Sequence, residues 1–168
     1  MKNFWMSVAV LCIFPVMAAA QSPFEKFYEK WSDADEYVTS VYVSHEMLDF
    51  IGEIGFSDDE DLDAALMIKG LDHIIIMSVE EVPMLNIGMK TDLEKITDNL
   101  GDEYKELVRV NDGDDKMTIY YNENGTESEI VLISLSGSGN YREANIILFA
   151  GDITKEDIKG IVSAASGE

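Results

Sequence analysis

Three carboxylates at alternating positions, Asp59, Asp61 and Asp63, form the first pattern that could do chemistry. They match positions 1, 3 and 5 of an EF-type loop, where oxygen ligands wrap a hard cation such as calcium. The pattern then fails. Ala64 stands where the loop needs glycine to turn, and Gly70 where it needs a bidentate glutamate. A solvated acidic loop is the expectation, with no metal and no cofactor. His45 falls in the first turn of an expected helix and His73 in an expected strand. Zinc needs three or four ligands, and neither an H-x-x-x-H pair nor a cysteine is available beside them.

Nucleophilic and acid–base chemistry fare no better. Ser134, Ser136 and Ser138 alternate beside Gly137 and Gly139, but Leu135 breaks the G-x-S-x-G pattern and the stretch leads from strand to strand. No G-x-G-x-x-G opens a helix, so no phosphate cradle is expected. With 33 Asp and Glu in 168 residues, paired carboxylates arise by chance. Asp152, between an apolar strand and a helix cap, is the least trivial of these acids for a carboxylate-based hydrolase; a turn-forming aspartate is the expectation. Asn124-Gly125-Thr126 matches a glycosylation acceptor and reads as a hairpin tip. No catalytic residue is assigned.

Composition bounds the partners. Twelve Lys and Arg oppose 33 acids, a formal charge of −21. Nucleic acid and anionic lipid surfaces are repelled by such a chain. Hydrophobic residues at 46% and charged residues at 27% mark a globular protein, and the length one domain.

Residues 1–20 read as a secretory signal peptide. Lys2 supplies the positive start, Phe4 to Met17 is apolar but for Ser7 and Pro15, and Ala18-Ala19-Ala20 offers the small side chains cleavage needs. Cutting after Ala20 removes Cys12, the sole cysteine, and leaves a single domain over 21–168 with no disulfide and no transmembrane segment. Leu11 before Cys12 is too large for a lipoprotein signal. Stability must come from apolar packing.

The elements follow from local pattern. Ser22-Pro23-Phe24-Glu25 is a capping box, and Phe24, Phe27, Tyr28 and Trp31 share one face of the helix it opens. A strand is expected over Tyr37–Val43, then a helix with Met47, Leu48, Ile51 and Ile54 on one face, ended by Gly55. After the acidic loop, Leu71–Val79 is a strand apolar on both faces and therefore central. Thr91-Asp92-Leu93-Glu94 caps a helix carrying Leu93, Ile96 and Leu100. Strands over Tyr104–Val110, Met117–Tyr121, Glu129–Leu135 and Ala144–Ala150 form a meander, with hairpin signals at Asp112-Gly113 and Asn124-Gly125. Thr154 opens a last helix carrying Ile158, Ile161 and Val162. The class is α+β, a mostly antiparallel sheet with a C-terminal four-strand meander and helices mainly on one face.

Val38-Thr39-Ser40-Val41-Tyr42-Val43-Ser44-His45-Glu46-Met47-Leu48, Tyr104 with Glu106–Asp112, and Ile146–Ile153 resemble the family called domain of unknown function 4252. The resemblance runs over roughly residues 24 to 165. It implies a secreted or envelope protein of Bacteroides-type Gram-negative bacteria and no particular activity. Some family members are lipid-anchored, which the Leu11-Cys12 context does not support here. The expected function is a non-enzymatic exported protein that binds another envelope protein, a basic one, through an acidic surface showing Tyr120, Tyr121 and Tyr141. The second face of the central strands must be covered, by the aromatic first helix or by a second copy of the chain; a face left bare within one chain would be the binding site or a homodimer interface. The alternatives are a small-ligand carrier or sensor, using a groove between the sheet and the Phe24–Trp31 helix, and the carboxylate hydrolase.

Overall fold

A computed structural model of the protein describes residues 21–34, 37–54, 70–79, 87–124, 127–137, 143–155 and 157–159. The leader with Cys12, the Asp59, Asp61, Asp63 loop, Gly55, Ser138, Tyr141, Ile161 and Val162 lie outside these residues. The elements run α1 (Pro23–Trp31), β1 (Val38–Ser44), α2 (His45–Ile54), β2 (Leu71–Val79), α3 (Ile87–Asp98), β3 (Tyr104–Asp112), β4 (Asp115–Asn124), β5 (Glu127–Ser136) and β6 (Glu143–Gly151). The six strands form one sheet, ordered β1-β2-β6-β5-β4-β3 and antiparallel throughout. The meander is therefore β3 to β6 in sequence order, and β2 returns to lie beside its last strand. β2 and β6 are interior strands, as their unbroken apolar runs require.

Directly opposed residues share a face, and the two faces carry two cores. On the first, Ile75, Met77 and Val79 of β2, Val131 and Ile133 of β5, and Ile146, Leu148 and Ala150 of β6 pack with Phe24 and Phe27 of α1 and Met89 and Leu93 of α3. On the second, Ile119, Ile130 and Leu71 pack with Leu48 of α2 and Ile153. Helices thus serve both faces, α1 and α3 the first and α2 the second.

Leu71 is in the second core although it has the same parity as His73 and Ile75. The register slips between Leu71 and His73, where β2 opposes Gly151 and Ala150. Such a bulge inserts one residue and turns the side chain beyond it to the other face.

The helix expected to start at Thr91 begins at Ile87. Met89 is buried with Leu93, and with Ile96 they make an i, i+4, i+7 stripe that runs one turn upstream of the Thr91 cap signal. Packing of this stripe outweighs a cap contributing about 1 kcal/mol. Gly88 leaves room for α1, because a Cβ there would stand 2.9 Å from the Trp31 ring. Lys30 of α1 bonds Asp92 of α3 across the same seam.

Candidate functional site

The capping box at Ser22 is formed: Glu25 N–H donates to Ser22 Oγ at 3.1 Å, and Ser22 N–H to Glu25 Oε2 at 2.7 Å. This fixes the first turn of α1 above one end of the sheet. Beneath it, register alone assembles a row across the first face: Tyr104, Asn122, Glu129, Ala150, His73 and Ser44, one from each strand. Five of the six side chains are polar, at the end of an otherwise apolar core.

Glu129, only 7% exposed, is the centre of this row. Ser22 Oγ donates to its Oε1 at 2.7 Å and Tyr104 OH to its Oε2 at 2.6 Å. Burial pushes its pKa up; the two hydroxyl donors pull it partly back, and the nearby Glu25 carboxylate adds to the rise. Burial first, then Glu129 itself, drives the Tyr104 phenol well above its usual range. Asn122 is 6% exposed, and its Oδ1 has no hydrogen-bond partner among the described residues.

His73 faces α1, with Nε2 3.2 Å from Glu25 Oε1, in ion-pair range but outside hydrogen-bond geometry. Its ring stacks on Tyr42 at 5.5 Å. His73 and the cap together hold Glu25 below the usual carboxylate range, against a smaller opposing effect of burial. Ser22 therefore bridges two carboxylates whose environments shift them in opposite directions. Both Glu129 oxygens are already engaged, so the arrangement ties the start of α1 to β3 and β5.

The opposite shifts give a pH signature. Glu129 has its folded pKa above its unfolded value, so between the two, unfolding releases a proton and stability falls as pH rises. Glu25 has its folded pKa below 4.5, so its contribution is present above that value and is lost as pH falls through the folded pKa. Glu129→Gln keeps an acceptor and removes the titration. Relative to the wild type it should gain stability as pH rises above 4.5, with a slope of at most about 1.4 kcal/mol per pH unit. Urea denaturation of both proteins from pH 4 to 8 reads this; parallel curves would contradict it.

The other residues singled out by sequence lie apart from this row. His45, exposed at the start of α2, has Nδ1 3.2 Å from the Leu71 carbonyl and Nε2 3.4 Å from Asp49. That carbonyl, then Asp49, raises its pKa. Asp152 is exposed and its N–H donates to the Gly70 carbonyl at 2.7 Å, a turn role. Tyr120 and Tyr121 are not the exposed groups expected. They point to opposite faces of β4 and pack, half-buried, against the first and second cores. Among the described residues no three His, Cys, Asp or Glu side chains converge to hold a metal ion.

Two further features border the row. A cavity of about 280 Å³ lies between the start of α1, the end of α3 and β3, lined by Pro23, Ile96, Leu100, Gly101 and Tyr104 among others. Of the large apolar residues exposed among those described, Val41, Tyr42, Met47 and Phe50 lie on β1 and α2, with Tyr37 just before β1, Ile76 on β2, and Leu107 and Val110 on β3. No described helix is long and apolar enough to cross a membrane.

The family model for the domain of unknown function DUF4252 matches residues 28–161, covering all six strands. The chain belongs to the DUF4252 family. No curated protein and no solved structure matches it. In this DUF4252 domain the match starts within α1, so Ser22, Phe24 and Glu25, which close the polar row, precede the matched region.

Glu129, Tyr104 and Asn122 were not singled out by sequence reasoning. A signal existed: Glu129 has the parity of Val131 and Ile133 within one strand. It was masked because Ile130 and Leu132, at the opposite parity, are equally apolar.

Proposed function

We propose that the protein is a non-enzymatic exported envelope protein whose work is to bind another protein. The observation that supports this best is where its exposed apolar side chains lie. Val41, Tyr42, Met47 and Phe50, four of the eight large apolar side chains exposed among the described residues, are 43 to 56% exposed and lie on one strand and the helix that follows it. Aromatic and methionine side chains of this kind are what protein interfaces favour. The organised titratable groups, by contrast, are engaged with one another under α1. The leader-like residues 1–20 support export to the periplasm or envelope of a Gram-negative cell. A charge of −21 favours a basic partner.

Co-purification from envelope extracts at low and high salt tests the reading. A complex that forms at low salt and weakens as salt rises is expected, because charge-guided recognition is screened. A complex indifferent to salt removes the charge argument, and no complex removes the function.

A second reading has one observation in its favour. The space between α1 and the sheet is filled by Phe24 and Phe27, but the adjoining cavity of about 280 Å³ could house a small apolar ligand. Native mass spectrometry of protein taken from its natural envelope decides this; apo mass alone would dispose of the carrier.

A further inference from the structure

The two edges of the sheet are built differently. β3 is interrupted by a register shift between Glu106 and Val108 and bears Lys105, Glu106, Arg109 and Asp112. A bulge and charges are how an edge strand turns away a further strand. β1, at the opposite edge, reads Val-Thr-Ser-Val-Tyr-Val-Ser. It has no proline and no charged side chain, and all seven residues pair with β2 in unbroken register. On its outer side, alternate residues present backbone N–H and C=O groups that no described strand takes up. Val41 on one face and Tyr42 on the other are exposed beside this edge, which no described strand covers. Natural proteins seldom leave an edge so open without using it.

Charge selects the occupant. Between Trp31 and Ile68 the chain has eleven Asp and Glu and no Lys or Arg. Of these, Asp33, Glu46 and Asp49 are exposed around β1, as is Asp72 on the neighbouring strand. A second copy would bring the same carboxylates to the same edge and be repelled; a cationic segment would be drawn in.

We infer that β1 accepts an extended, Lys- and Arg-bearing segment of a partner protein as a seventh strand of the sheet. This rests on the protein-binding reading and names its site and the partner's chemistry. Backbone pairing supplies a generic hold, the partner's alternate apolar side chains lie beside Val41 and Tyr42, and its cations face the flanking carboxylates.

The probe is a fluorescein-labelled octapeptide alternating Val and Lys, titrated with the purified protein and followed by anisotropy. Two matched peptides accompany it, one methylated at every backbone nitrogen and one with Glu in place of Lys. The Val–Lys peptide should bind. Methylation, which spares charge and side chains, should weaken it by more than about tenfold, since several backbone bonds are lost. The Glu peptide should not bind. Equal affinity for the methylated peptide, or no binding of the parent, overturns strand addition. Val41→Lys, at an exposed position that leaves both cores intact, should also weaken the parent peptide. If Val41→Lys captures a partner from envelope extracts as well as the wild type does, protein binding stands and β1 is not its site. If the peptide series behaves as expected but extracts yield no partner, the edge stands and the wider function falls.

Discussion

Gly151→Ala is expected to cost about 3–5 kcal/mol, from backbone strain and overpacking together. Gly151 ends β6 with φ +149, a conformation side-chain-bearing residues rarely adopt. An added Cβ would also stand 2.3 Å from the Gly70 carbonyl oxygen and 2.7 Å from Leu71 Cα and Asp72 N. All three neighbours are backbone, in or beside the β2 bulge, and the Asp152 N–H bond to Gly70 holds them close. Nothing there can swing aside as a side-chain tip could. The loss is a large share of the 5–15 kcal/mol of an ordinary domain (about that range), so urea midpoints should drop sharply. Gly113→Ala is the control. Gly113 sits in the β3–β4 turn at φ +61 with open space around the missing Cβ. Its replacement should cost only the left-handed backbone, about 1–2 kcal/mol. Equal losses at the two glycines would mean that the bulge yields, and that close approach is not what demands Gly151.

Phe24→Ala should cost a similar amount, about 3–5 kcal/mol for an aromatic ring removed from a core. Phe24 is one of the most deeply buried side chains, with its ring 5.8 Å from Tyr104 in an edge-on contact. The effect should reach beyond the cavity left behind. Phe24 holds the start of α1 on the sheet, and Ser22 and Tyr104 share Glu129 beneath it. A double-mutant cycle of Phe24→Ala with Tyr104→Phe should therefore show coupling above about 0.5 kcal/mol. Phe24→Ala with Ile119→Ala, in the other core on the opposite face, should add to within about 0.5 kcal/mol. Coupling of the second pair as strong as the first would show that the two faces do not behave as separate cores.

These experiments bear on function because the polar row ends at Ser44 on the β1 edge. Tyr42, exposed at the β1 edge, stacks on His73, which meets Glu25 in the capping box. Loosening α1 should therefore be felt at the edge where a partner strand would add, and Phe24→Ala should weaken the Val–Lys peptide as well as the fold.

Local physics was legible in the residues. The Ser22–Glu25 box, the helix carrying Leu48, the central strand Leu71–Val79 and the β3–β6 meander were readable because each rests on a short pattern: a cap, a 3.6-residue stripe, an apolar run or a turn pair. The antiparallel α+β class followed from their order. What the residues alone did not show was pairing at a distance. Only the assembled sheet brings Tyr104, Asn122, Glu129 and His73 into one row, because register between residues up to 77 positions apart, His73 and Ala150, decides which side chains share a face. The extra turn of α3 was set by where Met89 could be buried, a tertiary gain larger than a local cap. The requirement for Gly151 likewise depends on backbone some 80 residues away in sequence. The openness of β1 is of the same kind: its lack of charge is written in the residues, but that it is an edge, and that β3 is the other, was decided when β2 returned to pair with β6.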